Sequence, residues 1–197
     1  EVGALPDMVT FSNDGKYILS ANEGEPNSTY SQDPEGSITI VNISNGIANL
    51  TTSDVTQISL TQFNGQESSL RSQGIRIFST SASVAQDLEP EYIAVSDDNT
   101  KAFVTCQENN AILEVDLISN TITAIRSCGY SSYGAGSGNA LDASDQSGAI
   151  LNTSNLPIRG TYMPDAISYA TIGGQGYLLT ANEGDSREFG SVVDANR

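Results

Sequence analysis

Histidine and tryptophan are absent from this 197-residue chain, and cysteine occurs twice. Without histidine there is no imidazole general base, no serine–histidine triad and no histidine zinc ligand. Two cysteines exclude a four-cysteine metal site and a disulfide-dense scaffold. Basic residues are scarce, 8 against 24 acidic, and the formal charge is -16. Such a chain repels nucleic acid and anionic membrane surfaces, which excludes both as partners. No apolar run approaches the roughly 18 residues of a membrane-spanning helix, so no membrane span is expected here. There is no initiator Met or signal-peptide pattern at Glu1, which reads as a mature product or an internal fragment.

Charged residues make up only 16% of the chain, and Ser, Thr, Asn, Gln and 18 Gly fill the gap. That mixture favours strands and turns over helices. A unit then repeats three times. Pro6-Asp7-Met8-Val9-Thr10-Phe11 leads through Asn13-Asp14-Gly15 into Tyr17-Ile18-Leu19-Ser20-Ala21-Asn22-Glu23. Pro90-Glu91-Tyr92-Ile93-Ala94-Val95 leads through Asp97-Asp98-Asn99 into Ala102-Phe103-Val104-Thr105-Cys106-Gln107-Glu108. Pro164-Asp165-Ala166-Ile167-Ser168-Tyr169 leads through Gly173-Gly174 into Tyr177-Leu178-Leu179-Thr180-Ala181-Asn182-Glu183. Each unit reads as a hairpin, with Asp14-Gly15 as a two-residue turn signal. Ser37 to Val41, Ala111 to Leu117 and Thr121 to Ile125 add further strands.

Four antiparallel strands per unit describe a β-propeller blade. The expected fold is therefore all-β: a β-propeller, of which this chain supplies about two and a half four-stranded blades. Expected boundaries are blade 1 at about 1–60, an insertion at about 61–87, blade 2 at about 88–128, an insertion at about 129–160, and the start of blade 3 at about 161–197. Gly74-Ile75-Arg76-Ile77-Phe78 is a candidate extra strand in the first insertion. The second insertion is rich in Ser and Gly and reads as mobile unless something ties it down. Two and a half blades cannot close a ring, so further blades come from a longer chain or from an assembly.

A hairpin centred on Asp14-Gly15 sets Asp7 opposite Asn22, with Glu23 one step beyond. The repeat does the same with Glu91, Gln107 and Glu108, and with Asp165, Asn182 and Glu183. One rim would then collect Asp7, Glu23, Glu91, Glu108, Asp165 and Glu183 as candidate metal ligands, with Asn22, Gln107 and Asn182 as amide ligands. Oxygen-only ligation suits Ca²⁺ or Mg²⁺. The alternative is that these residues repeat for blade geometry alone, bonded to backbone or to nearby bases. Arg187, in Asp185-Ser186-Arg187-Glu188, could grip an anionic group such as phosphate by its guanidinium fork, or form an intramolecular ion pair. The short acidic loops at Asp33-Pro34-Glu35 and Asp142-Ala143-Ser144-Asp145 lack EF-hand spacing.

Four Asn-x-Ser/Thr sequons, at Asn27, Asn42, Asn49 and Asn152, suggest a secreted glycoprotein. Cys106 and Cys128 fit either an extracellular disulfide or two free thiols.

Three blocks of the sequence carry a family resemblance. They are Ala4-Leu5-Pro6-Asp7-Met8-Val9 with Ala21-Asn22-Glu23-Gly24-Glu25-Pro26; Asp87-Leu88-Glu89-Pro90-Glu91-Tyr92 with Gln107-Glu108-Asn109-Asn110-Ala111; and Met163-Pro164-Asp165-Ala166 with Thr180-Ala181-Asn182-Glu183-Gly184-Asp185-Ser186-Arg187. Together they resemble the choice-of-anchor I proteins, which include the mesenchyme-specific cell-surface glycoproteins of biomineralising animals and many secreted bacterial members. The resemblance covers nearly the whole chain. It implies an extracellular or surface-anchored propeller, often glycosylated and linked in animals to calcified matrix, with no catalytic mechanism to carry over. Cys106 stands where an aliphatic residue is expected, so the resemblance lends the disulfide no support.

The sequence thus points to a non-enzymatic, secreted or cell-surface acidic glycoprotein with a structural or matrix role that binds divalent cations, Ca²⁺ above all. One alternative is a metal-dependent phosphoester hydrolase that uses the same carboxylates and Arg187. Another is a subunit of an extracellular filament or sheath, in which neighbouring copies cover the open edges.

Overall fold

The computed structural model describes residues 1–144, 146–189 and 192–193. Asp145 of the second acidic loop and the last residues of the third unit lie outside the described residues, as does the side chain of Glu188.

Two four-stranded antiparallel meanders dominate the chain. The first runs in order β1 (Pro6–Phe11), β2 (Tyr17–Asn22), β3 (Ser37–Asn42) and β4 (Val55–Ser59). The second runs β5 (Ile93–Val95), β6 (Lys101–Cys106), β7 (Ala111–Asp116) and β8 (Thr121–Ser127). Between the two sheets lie two short helices, α1 (Glu67–Ser72) and α2 (Val84–Asp87). The fold is all-β, with several antiparallel sheets and few helices.

Alternation decides which side chains enter the core. In β7, Ala111, Leu113 and Val115 are buried while Ile112, Glu114 and Asp116 between them are half-buried, the period-2 pattern of a strand with one packed face. A single apolar cluster joins Leu19, Ala21, Ile38 and Ile40 of the first sheet to Ile93, Val104, Leu113 and Val115 of the second. Burying each large aliphatic chain of this kind contributes about 1.5–3 kcal/mol.

The first turn is a four-residue loop closed by Ser12. The Ser12 amide donates to the Tyr17 carbonyl at 2.9 Å, and its hydroxyl accepts the Tyr17 amide at 3.0 Å. The register expected from Asp14-Gly15 holds from Phe11–Ile18 back to Met8–Ala21. It breaks at Asp7, where a β-bulge sets Pro6 opposite Asn22. Asp7 is therefore not opposite Asn22. It is the extra residue, and a bulge re-aims such a side chain.

The chain from 74 to 78 forms no strand, contrary to expectation. Ile75 and Ile77 are buried with strand-like alternation, but the main chain there is bonded to the second sheet through the Arg76 amide, which donates to the Asn109 carbonyl at 2.8 Å. The segment from 129 to 160 folds back on itself as one long broken hairpin. Its ladders are β9 (Tyr130–Ser132) with β12 (Arg159–Thr161), and β10 (Ala140–Leu141) with β11 (Thr153–Ser154). The Arg159 guanidinium lies 4.2 Å over the Tyr130 ring, so the insertion is tied at its base.

The third unit is the hairpin β13 (Pro164–Ile172) and β14 (Gln175–Asn182), followed by the short pair β15 (Glu188–Phe189) and β16 (Val192–Val193). It bulges like the first, with Pro164 opposite Asn182 and the irregularity falling at Asp165 and Ala166. β13 lies against β5 and β6. Side chains of the second unit hold the main chain of the third. The Thr105 hydroxyl donates to the Asp165 carbonyl at 2.8 Å, and the Gln107 amide to the Glu183 carbonyl at 2.6 Å. Asn110 Oδ1 accepts the amides of Tyr162 and Met163 at 3.1 and 3.0 Å.

Cys106 and Cys128 are free thiols, so the disulfide option is not realised. Cys106 pairs with Ala111, which pairs with Ser127. Cys128 follows, about two strand spacings from Cys106, or roughly 10 Å. Disulfides need Cα atoms within about 7 Å.

Candidate functional site

The three units bring their strand-start acids to one place. Asp7, Glu91 and Asp165 line a pocket of about 180 Å³ together with Glu23, Glu25, Gln107 and Glu108. The bulges at Asp7 and Asp165 set two of these carboxylates at the pocket. Glu23 and Glu108 enter just beyond the ends of β2 and β6. Among the described residues, no lysine or arginine lines the pocket.

So many carboxyl groups cannot all ionise cheaply in one partly buried space. Burial, followed by the neighbouring Glu25, Asp7 and Glu108, pushes Glu23 up to about 8. Glu25 is raised for the same reasons, burial first and Glu108 next. Glu91 is buried and raised strongly, by desolvation and then by Glu108. Its Oε1 still accepts the Gln107 amide at 2.9 Å. Near neutral pH the pocket therefore holds protons that an ordinary exposed carboxylate would have released.

Of the expected metal ligands, five meet here and Glu183 does not line the pocket. The Glu183 carbonyl, not its carboxylate, is what Gln107 binds. Asn22 is not available as a ligand, which corrects that expectation. It is fully buried, and its Nδ2 donates to the Ser37 carbonyl, Ser37 Oγ and Thr39 Oγ1 at 3.1, 3.2 and 3.1 Å. Its Oδ1 accepts the Ser20 hydroxyl at 3.0 Å. Strand neighbours face opposite ways, so the sheet takes Asn22 and the pocket takes Glu23. Asn182 is exposed and accepts the Thr180 hydroxyl at 2.9 Å. Gln107 is the one expected amide at the pocket.

Arg187 is also committed elsewhere. It is buried, with its guanidinium 3.2 Å from Asp87 and 2.8 Å from Glu89. It also donates to the Asp87 carbonyl at 2.7 Å. The intramolecular ion pair is therefore its arrangement, and the phosphate-gripping role is not supported by this geometry. Burial works against its charge, but Glu89 and Asp87 outweigh that and raise its pKa. Glu89 is still pushed up to about 8, because its burial exceeds what Arg187 returns.

Sequence reasoning missed Glu25, Asp87 and Glu89 as site or supporting residues. Glu25 could have been found from Glu23-Gly24-Glu25, which carries a second acid two residues on. Asn109 is the other omission. It is fully buried, donating to the carbonyls of Arg76 and Asp87 at 2.9 and 2.8 Å and accepting the Glu89 amide at 3.1 Å. Among the sequons, Asn27, Asn49 and Asn152 are exposed and Asn42 is half-buried.

The family model described as the choice-of-anchor I domain matches residues 1–197. That match does not reach the narrower likeness to the mesenchyme-specific glycoproteins. No curated protein matches the chain. Among solved structures it is similar to hydrazine synthase of Kuenenia stuttgartiensis, at 17% identity and a TM-score of 0.36, over 84% of this chain and 39% of that one. The chain thus spans well under half of that protein, and a likeness this low carries no argument about function.

Proposed function

This chain belongs to the choice-of-anchor I family, and from that premise we propose that it is a propeller-type surface domain whose acidic pocket takes up divalent cations, Ca²⁺ first. The family makes it a cell-surface or extracellular protein. No helix among the described residues is long and apolar enough to cross a membrane. In the propeller reading the two meanders and the third hairpin are successive blades, and the pocket is the mouth where their first strands begin. Three exposed sequons suit glycan attachment in that setting.

The observation that carries the cation reading is the pocket itself: six carboxyl groups from three units, with no base among the lining residues. The charge is relieved either by protons or by a cation. Among the described residues no three acidic or thiol groups already form a ready metal cage. A hydrated ion, held partly through water, suits about 180 Å³ of space better than a bare one. The matrix role follows from a surface location combined with Ca²⁺ uptake. The phosphoester-hydrolase alternative has lost its anion-binding group, because Arg187 is bound by Asp87 and Glu89.

Calorimetric titration with Ca²⁺ at pH 8 tests the reading. We expect binding that weakens at least tenfold in the Asp7→Asn, Asp165→Asn double variant. No detectable binding at millimolar Ca²⁺, or binding that the double variant leaves unchanged, would refute it.

A further inference from the structure

Two pocket residues are also parts of the joint between the second and third units. Asp165 lines the pocket, while its carbonyl accepts the Thr105 hydroxyl at 2.8 Å. Gln107 lines the pocket as well, and its Nε2 donates to the Glu183 carbonyl at 2.6 Å. A carbonyl can only accept, so this bond fixes which way the amide is turned. The Gln107 main-chain amide is held too, by Glu91 Oε1 at 2.9 Å. The polar atom left for the pocket is Gln107 Oε1. The residue is only 9% exposed, and that oxygen accepts no hydrogen bond among the described residues. An amide oxygen so held, beside carboxylates, is a neutral ligand for a hard cation.

The same joint sets like charges against each other. The third unit brings Asp165 to a space that also holds Asp7, Glu23 and Glu25 of the first unit and Glu91 and Glu108 of the second. Carboxylates sharing one partly buried space repel. Docking of the third unit therefore works against this repulsion, which the Thr105 and Gln107 hydrogen bonds offset. A divalent cation reverses the sign, because the Asp165 carboxylate that was pushed away then becomes a tether.

We propose that the cation is a staple: its uptake in the pocket fastens the third unit to the second, through Asp165 from one side of the joint and Gln107 Oε1 from the other. This rests on the cation reading of the pocket and adds what the ion does there. Linkage requires the converse as well, that a firmly docked third unit binds the ion more tightly.

Hydrogen exchange on the 197-residue chain at pH 8, with and without millimolar Ca²⁺, tests it alongside the calorimetric titration. The amides of β13 and β14 are read at times when those of β7 are still protected. Local opening of the third unit is then sampled rather than global unfolding. In the wild type, Ca²⁺ should slow their exchange about fivefold or more. Asp165→Asn removes the charge and keeps the gripped carbonyl. It should exchange without Ca²⁺ as slowly as the wild type does with it, and Ca²⁺ should then change the rate less than about twofold. Protection of β7 equal to wild type shows that the variant is folded. Ca²⁺ that binds by calorimetry yet leaves wild-type exchange unchanged overturns the staple and leaves the cation reading standing. No binding at millimolar Ca²⁺ removes both. An Asp165→Asn chain that keeps the full effect of Ca²⁺, or that exchanges faster than the wild type without it, also overturns the proposal.

Discussion

Replacing Arg187 with Met keeps an unbranched apolar stem and removes the guanidinium with its charge, leaving Asp87 and Glu89 buried without their cation. Their fates differ. Asp87 still accepts the amides of Phe78 and Ser79 at 3.0 and 2.7 Å and the Asn109 side chain at 3.2 Å. Glu89 has no such support: Oε1 is buried without a hydrogen-bond partner, and Oε2 loses the guanidinium. Removing one partner of a buried ion pair costs about 3–5 kcal/mol. Glu89 is already pushed up to about 8, so it neutralises itself by taking a proton, and the loss falls at the lower end, about 3 kcal/mol. With a urea slope of about 1–3 kcal/mol per M, the midpoint should drop by about 1–3 M. There is no tryptophan and there are 8 tyrosines, so far-UV circular dichroism or tyrosine emission reports the transition. The substitution should do less harm in a Glu89→Gln background. A midpoint within about 0.3 M of wild type, or equal damage in both backgrounds, would refute the reasoning.

Two further outcomes are expected. Glu23 and Glu89 hold protons up to about 8 in the folded chain and release them in the ordinary carboxylate range when unfolded. The folded state thus binds more protons in between, and stability falls as pH rises from about 5 to about 8. Melting temperatures should decline across that window, with Ca²⁺ recovering part of the loss at pH 8; a flat or rising profile contradicts this. Gly24 has φ +71°, and a Cβ there would sit 2.5 and 2.6 Å from backbone atoms of Glu35 and Gly36. Gly15 has φ +69° and open space. Gly15→Ala should cost about 1 kcal/mol and Gly24→Ala clearly more, so equal melting temperatures for the two would show that the close approach is absent.

The hairpins were readable because alternation and turn residues are local signals, and the register followed from the turn as far as Met8. What lay beyond was decided by single residues. One extra residue at Asp7 and at Asp165 moved each acid out of the expected pairing, and no local pattern announces a bulge. Asn22 is the last residue of β2 and the polar sheet around Ser37 and Thr39 took its amide, whereas Gln107 lies past the end of β6 and reaches the pocket beside Glu108. Ile75 and Ile77 alternate as a strand would, yet a strand also needs a partner edge, which depends on distant chain. Arg187 was legible as a base among acids. Its partners were not, because Asp87 and Glu89 lie about a hundred positions away.

At Asp165 and Glu183 the second unit grips the third by its carbonyls rather than by its side chains. A carbonyl is present in every amino acid. The docking at Asp165 and Glu183 therefore makes no demand on what residue occupies either position. Substitution there can alter charge, ligand preference or glycan approach at the pocket without loosening the joint. Thr105, Gln107 and Asn110 have no such latitude, since each supplies the group that does the gripping. Chemical variation should therefore collect on the held partner, and constraint on the holder.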